Sequence, residues 1–197
     1  MPRDGARMLQ QTLQQWRAQG PKPDLWLFAY ASLVWRPEFE VAESRPARVH
    51  GQHRALQMWS RINRGTEDCP GLVFALLPGG CCDGLVLRLP HDEVEARMPA
   101  LWAREMPRPT YDPKWLLCHT PQGPVRALAF TLSRRSPSYT GVLPPERYRQ
   151  IFAQSCGRYG TTLDYARQTL RGLAEHGIHD RALERLLRLA PDPTAPS

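Results

Sequence analysis

No stretch of this chain comes near 18 consecutive apolar residues, the length a helix needs to span a bilayer, so no membrane association is expected. The first residues, MPRDGARMLQQTLQQW, lack an apolar signal-peptide core, and a cytoplasmic location is expected from that. The five cysteines (Cys69, Cys81, Cys82, Cys118, Cys156) show no CxxC spacing. Zinc sites need thiolates paired at short intervals, and disulfide frameworks an even, regular set, so these read as reduced structural thiols. There is no HExxH, His50 and His53 fall on opposite faces of a strand-like stretch, and His176 and His179 flank a turn; no metal is expected. Ser32 sits in YASLV, not in a G-x-S-x-G elbow, which argues against a serine hydrolase. Acidic residues are the minority, 19 against 26 Lys+Arg, for a formal net charge of +7. The basic residues are mostly arginines scattered along the chain, without a tract or an RNP, KH or zinc-finger pattern. That distribution suits a small anionic substrate better than nucleic acid.

What is present is an ordinary globular composition, 42% hydrophobic and 23% charged over 197 residues, enough for one well-cored domain. ARMLQQTLQQWRA (6–18) has the period of an amphipathic helix, closed by Gly20 and Pro21. Strand signals follow at 25–30, 47–59, 71–78 and 83–90, the last two separated by the apparent turn LPGGCCDG. From His91 to Met106 the period becomes helical, with Val94, Met98, Leu101 and Trp102 on one face. A strand pair at 114–120 and 125–133 turns around PQGP. Helices are expected at about 144–156, 162–175 and 180–190, with Thr161 or Thr162 and Asp180 as caps. Strands, one inserted helix, more strands and then helices make an α+β protein with a mixed or largely antiparallel sheet. The organisation expected is an N-terminal helical extension (1–24), one domain (25–190) and a flexible tail (191–197).

Two places could carry chemistry. In LWLFAYASLVW (25–35) the first strand ends on Ala29, Tyr30, Ala31 and Ser32. Small residues there let backbone amides approach an anion, or simply make a tight strand exit. Glu105, in ALWAREMP, borders the apolar face of its helix. A carboxylate against apolar surface has a raised pKa, as a general base near neutrality requires; the alternative is a solvated glutamate paired with Arg104 or Arg108. GRYG (157–160), opening a late helix, lacks the Walker lysine; it reads more simply as a helix cap at Gly157 and a turn at Gly160.

Taken in order, LFAYASLVWRPEF, GQHRAL, NRGT, PGLVFAL, GLVLRLP, LWAREM, YDPKW and GRYGTTLDYARQTL resemble the ChaC-like γ-glutamylcyclotransferases over about residues 25–188. The resemblance implies a mixed, barrel-like β-sheet with flanking helices. It also implies a cofactor-free lyase that cyclises the γ-glutamyl group of glutathione and releases 5-oxoproline and cysteinylglycine. Glu105 then takes the place of the catalytic glutamate acting as general acid and base. Tyr30, Ala31, Ser32 and Leu33 occupy the substrate-binding loop, extended by Ala29 and Val34. Tyr30 would fix the glutamyl moiety, and Ser32 with the loop amides would bind the α-carboxylate or the oxyanion. Arg54 and Arg64 are candidates for the glycine end of the substrate, and Tyr111 and Tyr165 for pocket hydroxyls. Ala29 and Ala31 stand where glycines are usual, and Thr162 where an asparagine is. These departures keep two alternatives open: the same cyclisation on another γ-glutamyl amine or peptide, and a non-catalytic binding protein on this fold. The expected partner is a small-molecule substrate, with neither nucleic acid nor membrane, for a monomer or small homo-oligomer.

Overall fold

Asp4 starts the first element of this computed structural model, which describes residues 4–191; the tail anticipated at 191–197 lies outside it from residue 192 on. The chain divides into two compact units. One comprises the residues up to His53 with Leu76–Ser133, the other Arg54–Ala75 with Arg134 onward.

In the first unit the Asp4 carboxylate accepts from the Ala6 and Arg7 amides at 2.9 and 3.3 Å and starts helix α1 (Gly5–Arg17), satisfying amides that have no intrahelical partner. Strand β1 (Leu25–Ala29) buries Leu25, Leu27 and Phe28 almost completely; each such side chain contributes about 1.5–3 kcal/mol. A single helical turn, α2 (Ser32–Trp35), follows at once. Two long strands, β2 (Glu43–Ser60) and β3 (Gly71–Leu89), precede helix α3 (His91–Glu105) and the hairpin β4 (Asp112–Thr120) and β5 (Gly123–Thr131). The five strands form a closed barrel in the order β1-β3-β2-β4-β5. Its antiparallel ladders include Leu25↔Leu89 to Ala29↔Leu85 and Asp112↔Thr131 to Thr120↔Gly123. Closure comes from a short parallel pairing of β1 with β5, Trp26↔Ala127 and Leu27↔Leu128. Val94, Met98, Leu101 and Trp102 of α3 are buried, on the one face their spacing predicts.

One expected turn is overturned. LPGGCCDG is not a turn between two strands but the middle of β3, which runs unbroken from Gly71 to Leu89. Gly79 and Gly80 take φ values of +102° and +72°, which let the strand bend where a residue with a Cβ would be strained. His53 on β2 holds the bend by donating from Nδ1 to the Gly79 carbonyl at 2.8 Å. Glycines that punctuate a sequence can thus deform a ladder without ending it.

The second unit carries α4 (Pro145–Gln154), a small hairpin of β6 (Cys156–Gly157) and β7 (Gly160–Thr161), α5 (Thr162–Glu175) and α6 (Arg181–Leu187). Tyr148, Ile151, Phe152, Ala166 and Leu173 supply its core. Thr161 caps α5 through the Asp164 amide, and Asp180 caps α6 through the Leu183 amide. Gly157 is not the cap of α4, which ends at Gln154 with Ser155 following. A Cβ on Gly157 would sit 2.5 Å from the Gly65 nitrogen and 2.6 Å from that of Arg64, so glycine is there for close backbone approach. Gly160, at φ +98°, is the turn residue expected.

Gly84 makes a similar approach beside the end of β1. A Cβ there would lie 2.4 Å from the Ala29 carbonyl oxygen and 3.0 Å from the Phe28 ring. Gly84→Ala is expected to destabilise the protein by about 1–3 kcal/mol through overpacking, read as a lower urea midpoint at unchanged m value.

Candidate active site

The site grows from the exit of β1. Ala29, the last residue of the strand, is fully buried. Tyr30 follows with 8% exposure, its ring against Phe28 and its hydroxyl donating to the Phe130 carbonyl of β5 at 2.9 Å. Ala31, at φ −145°, caps α2 without a side-chain hydrogen bond. Among the described residues the only non-glycine positive φ values are those of Lys22 and Glu38. Neither Ala29 nor Ala31 therefore needs the left-handed backbone for which glycine would be required. Leu33 and Val34 are buried, and the Val34 amide is engaged with the Ala31 carbonyl at 2.9 Å. Ser32 is the first helical residue, and its Oγ accepts from Arg104 Nη2 at 3.3 Å.

That bond joins the β1 exit to the end of α3. Arg104 is the penultimate residue of α3 and Glu105 its last, before Met106 closes the helix by donating to the Trp102 carbonyl at 2.7 Å. Glu105 Oε1 lies 3.3 Å from Arg104 Nε, and the glutamate side chain keeps only 17% of its exposure. Burial pushes its pKa up from the usual carboxylate range; Arg104 opposes the rise and Glu38 adds to it. The helix C-terminus contributes in the same direction, because its partial negative charge disfavours a carboxylate. So Glu105 is paired with Arg104, yet poorly solvated.

Phe130 ties the surroundings together. Its carbonyl takes the Tyr30 hydroxyl, and its ring meets Tyr111 edge-on at 6.4 Å and Trp102 edge-on at 5.7 Å. Tyr30, Tyr111 and the last turns of α3 therefore converge on one residue of β5. Sequence reasoning missed Phe130 and Glu38 as parts of this arrangement, and named Arg104 only as one of two possible partners of a solvated Glu105. Arg104 alone had a local signal, as Glu105's neighbour in the chain. Phe130 reaches Tyr30 only because the barrel closes.

The remaining candidates belong to the second unit. Arg64 is 7% exposed, its guanidinium 4.9 Å over the Tyr165 ring and bonded to the Tyr159 carbonyl. The Tyr165 hydroxyl accepts from the Phe74 amide at 3.3 Å. Arg54, considered for the glycine end of a substrate, is committed instead to Asp180, with Nη2 and Nε 2.6 and 2.9 Å from Oδ2. Asp180 uses its other oxygen to cap α6, so the pair braces that helix. Among the described residues no group of three or more His, Cys, Asp or Glu could hold a metal ion, and no helix is long and apolar enough to cross a membrane.

A closed mixed barrel with flanking helices is the fold of solved γ-glutamyl cyclotransferases. The yeast enzyme specific to glutathione matches with a TM-score of 0.76 at 20% identity, over 84% of this chain and 95% of the other. A second structure, titled gamma-glutamyl cyclotransferase, matches with a TM-score of 0.55 at 13% identity, over 89% and 93%. The profile of the ChaC-like protein family matches residues 25–191. The glutathione-specific gamma-glutamylcyclotransferase of Escherichia coli is 33% identical over 170 residues, 86% of this chain and 72% of that one. The human glutathione-specific gamma-glutamylcyclotransferase 1 is 32% identical over 154 residues, 76% and 69% of the two chains. The chain belongs to the ChaC-like family.

The raised pKa of Glu105 has a consequence for stability. The folded protein holds a proton on this carboxyl more tightly than the unfolded chain does. Its destabilising contribution is therefore complete above the folded pKa and absent below the unfolded one. Glu105→Gln is expected to stabilise the fold at pH 7, with the gain fading as pH falls through the raised folded pKa and gone below the ordinary glutamate value near 4.5. Urea unfolding at pH 7 and pH 4 checks this; an equal effect at both would contradict the burial argument.

Proposed function

We propose that this chain is a glutathione-specific γ-glutamylcyclotransferase, a lyase that converts glutathione to 5-oxoproline and cysteinylglycine, with Glu105 as its general acid and base. Family membership and the activity named for the Escherichia coli and human relatives support the reaction. The observation that carries the site is Glu105, poorly solvated and linked through Arg104 to Ser32 at the β1 exit.

The chemistry fits one carboxylate. The substrate's α-amine attacks its own γ-carbonyl carbon, forming the ring C–N bond. The tetrahedral intermediate then collapses, breaking the amide C–N bond to cysteine. Because the nucleophile is already attached, folding the substrate into a near-attack shape can supply about 7–11 kcal/mol. The amine is an ammonium at neutral pH and must first lose a proton; Glu105 takes it and returns one to the departing nitrogen. A positioned acid–base group of this kind contributes about 10²–10⁴-fold. Ser32 and the first amides of α2, which precede the first intrahelical bond, would receive the α-carboxylate or the oxyanion, and an oxyanion donor contributes about 3–4 kcal/mol. Tyr30 holds the loop to β5 and lines it. A cytoplasmic setting belongs to the same proposal.

Incubation with glutathione should yield 5-oxoproline and cysteinylglycine in equal amounts. Glu105→Gln should lower kcat by about 10²–10⁴-fold, with glutathione binding retained in calorimetry. Turnover unaltered in that variant would remove Glu105 from the mechanism. Turnover confined to other γ-glutamyl amides in a substrate panel would replace glutathione as the substrate.

A further inference from the structure

The Arg104 guanidinium is shared among four acceptors. Nε lies 3.3 Å from Glu105 Oε1, and Nη2 3.3 Å from Ser32 Oγ. Nη1 reaches the Pro37 carbonyl at 3.0 Å and Glu38 Oε2 at 3.4 Å. Glu38 is unusual in its own right. Its backbone sits at φ +60°, a left-handed conformation that a residue with a Cβ adopts at a cost, and only where its surroundings insist. They do so from two sides: Arg36 Nε holds Oε1 at 2.7 Å while Arg104 holds Oε2. A second carboxylate is thus held by the same cation that pairs with Glu105.

The consequence follows from charge. An undivided guanidinium against Glu105 would hold it as a carboxylate and weaken it as a base. Glu38 draws part of that positive charge to itself. Among the described residues, the charged groups that act on Glu105 are Arg104 on its own helix and Glu38, with Arg36 behind it, from the segment after α2. Ser32 at the β1 exit, and Tyr30 and Tyr111 gathered on Phe130, complete the surroundings. The opposed influences of Arg104 and Glu38 on the Glu105 carboxyl agree with this geometry.

We infer that Arg104 is a positioning residue that aligns Glu105 with Ser32, and that Glu38 is its counterweight, keeping Glu105 able to accept a proton. This rests on Glu105 being the general base proposed above. It adds a specific expectation: two substitutions, neither at the base itself, shift its titration in opposite directions. A purely structural role for either residue would not.

The test is the pH dependence of kcat/KM for 5-oxoproline formation in the wild type, Glu38→Gln, Arg104→Gln and Arg104→Lys. kcat/KM reports the free enzyme and the free substrate, so the limb due to the substrate amine is common to all four and serves as reference. Removing the Glu38 charge should move the acid limb down by about half to one pH unit, because Arg104 then acts on Glu105 alone. Arg104→Gln should move it up by a similar amount and lower kcat at least about tenfold through lost alignment. Arg104→Lys should restore the limb but not kcat, since an ammonium supplies the charge without the planar fork that spans Glu105 and Ser32. The Glu38 side chain is 42% exposed, so Glu38→Gln should fold even if Arg104→Gln does not; thermal unfolding of each variant verifies this. Acid limbs that stay in place, or move the same way in Glu38→Gln and Arg104→Gln, overturn the inference so long as Glu105→Gln is inactive. An active Glu105→Gln would instead overturn the reading of Glu105 itself.

Discussion

The parallel contact between β1 and β5 is short, Trp26↔Ala127 and Leu27↔Leu128, yet the candidate site depends on it. It closes the barrel and leaves neither strand with an open edge. It also sets register. Continuing past Leu27 and Leu128 brings Tyr30 and Phe130 together, and the Tyr30 hydroxyl bonds to the Phe130 carbonyl. With the β1 exit held there, Ser32 starts its helical turn within reach of Arg104. A slip of one residue in this pairing would turn every β1 side chain to the other face and part Tyr30 from Phe130.

Glu105 shows what such a frame is asked to hold. A carboxylate is disfavoured at a helix C-terminus and again in a poorly solvated place. Both conditions meet at Glu105, and the adjacent arginine offsets them only in part. The protein gives up some stability to keep a carboxyl group with an elevated pKa beside the strand exit. Functional sites often hold such locally unfavourable arrangements. The left-handed backbone of Glu38 belongs to the same picture.

The second unit shows how a departure from a family pattern can be absorbed. Thr162 is fully buried where an asparagine is usual. Its hydroxyl accepts from the Leu72 amide at 2.9 Å and from Ser155 Oγ at 2.8 Å, and donates to the Arg64 carbonyl at 3.4 Å. One donor and two acceptor positions are thus all used, and Thr162 fixes the backbone of Arg64 from below. Gly71 admits this contact, since a Cβ there would come within 2.5 Å of Thr162 Oγ1. Ala29 and Ala31 are accommodated for a different reason, because neither needs a positive φ.

Much of this protein was written locally. Helical period placed Val94, Met98, Leu101 and Trp102 on the buried face of α3, and the caps at Thr161 and Asp180 followed from residue type beside a periodic run. The border position of Glu105 was legible for the same reason, since burial along a helix repeats with its turn. Local signals misled where glycines serve two purposes: Gly79 and Gly80 bend β3 rather than end it, and Gly157 admits a neighbouring backbone rather than capping α4. Sequence alone therefore determined the element types, the buried faces and the acidic residue worth watching, because propensity and periodicity act between near neighbours in the chain. Only the tertiary structure decided that Tyr30 meets Phe130, that Arg54 serves Asp180, and that Glu38 shares a cation with Glu105. Those pairings join residues tens of positions apart, and it is barrel closure and packing, not local preference, that set which distant groups become neighbours.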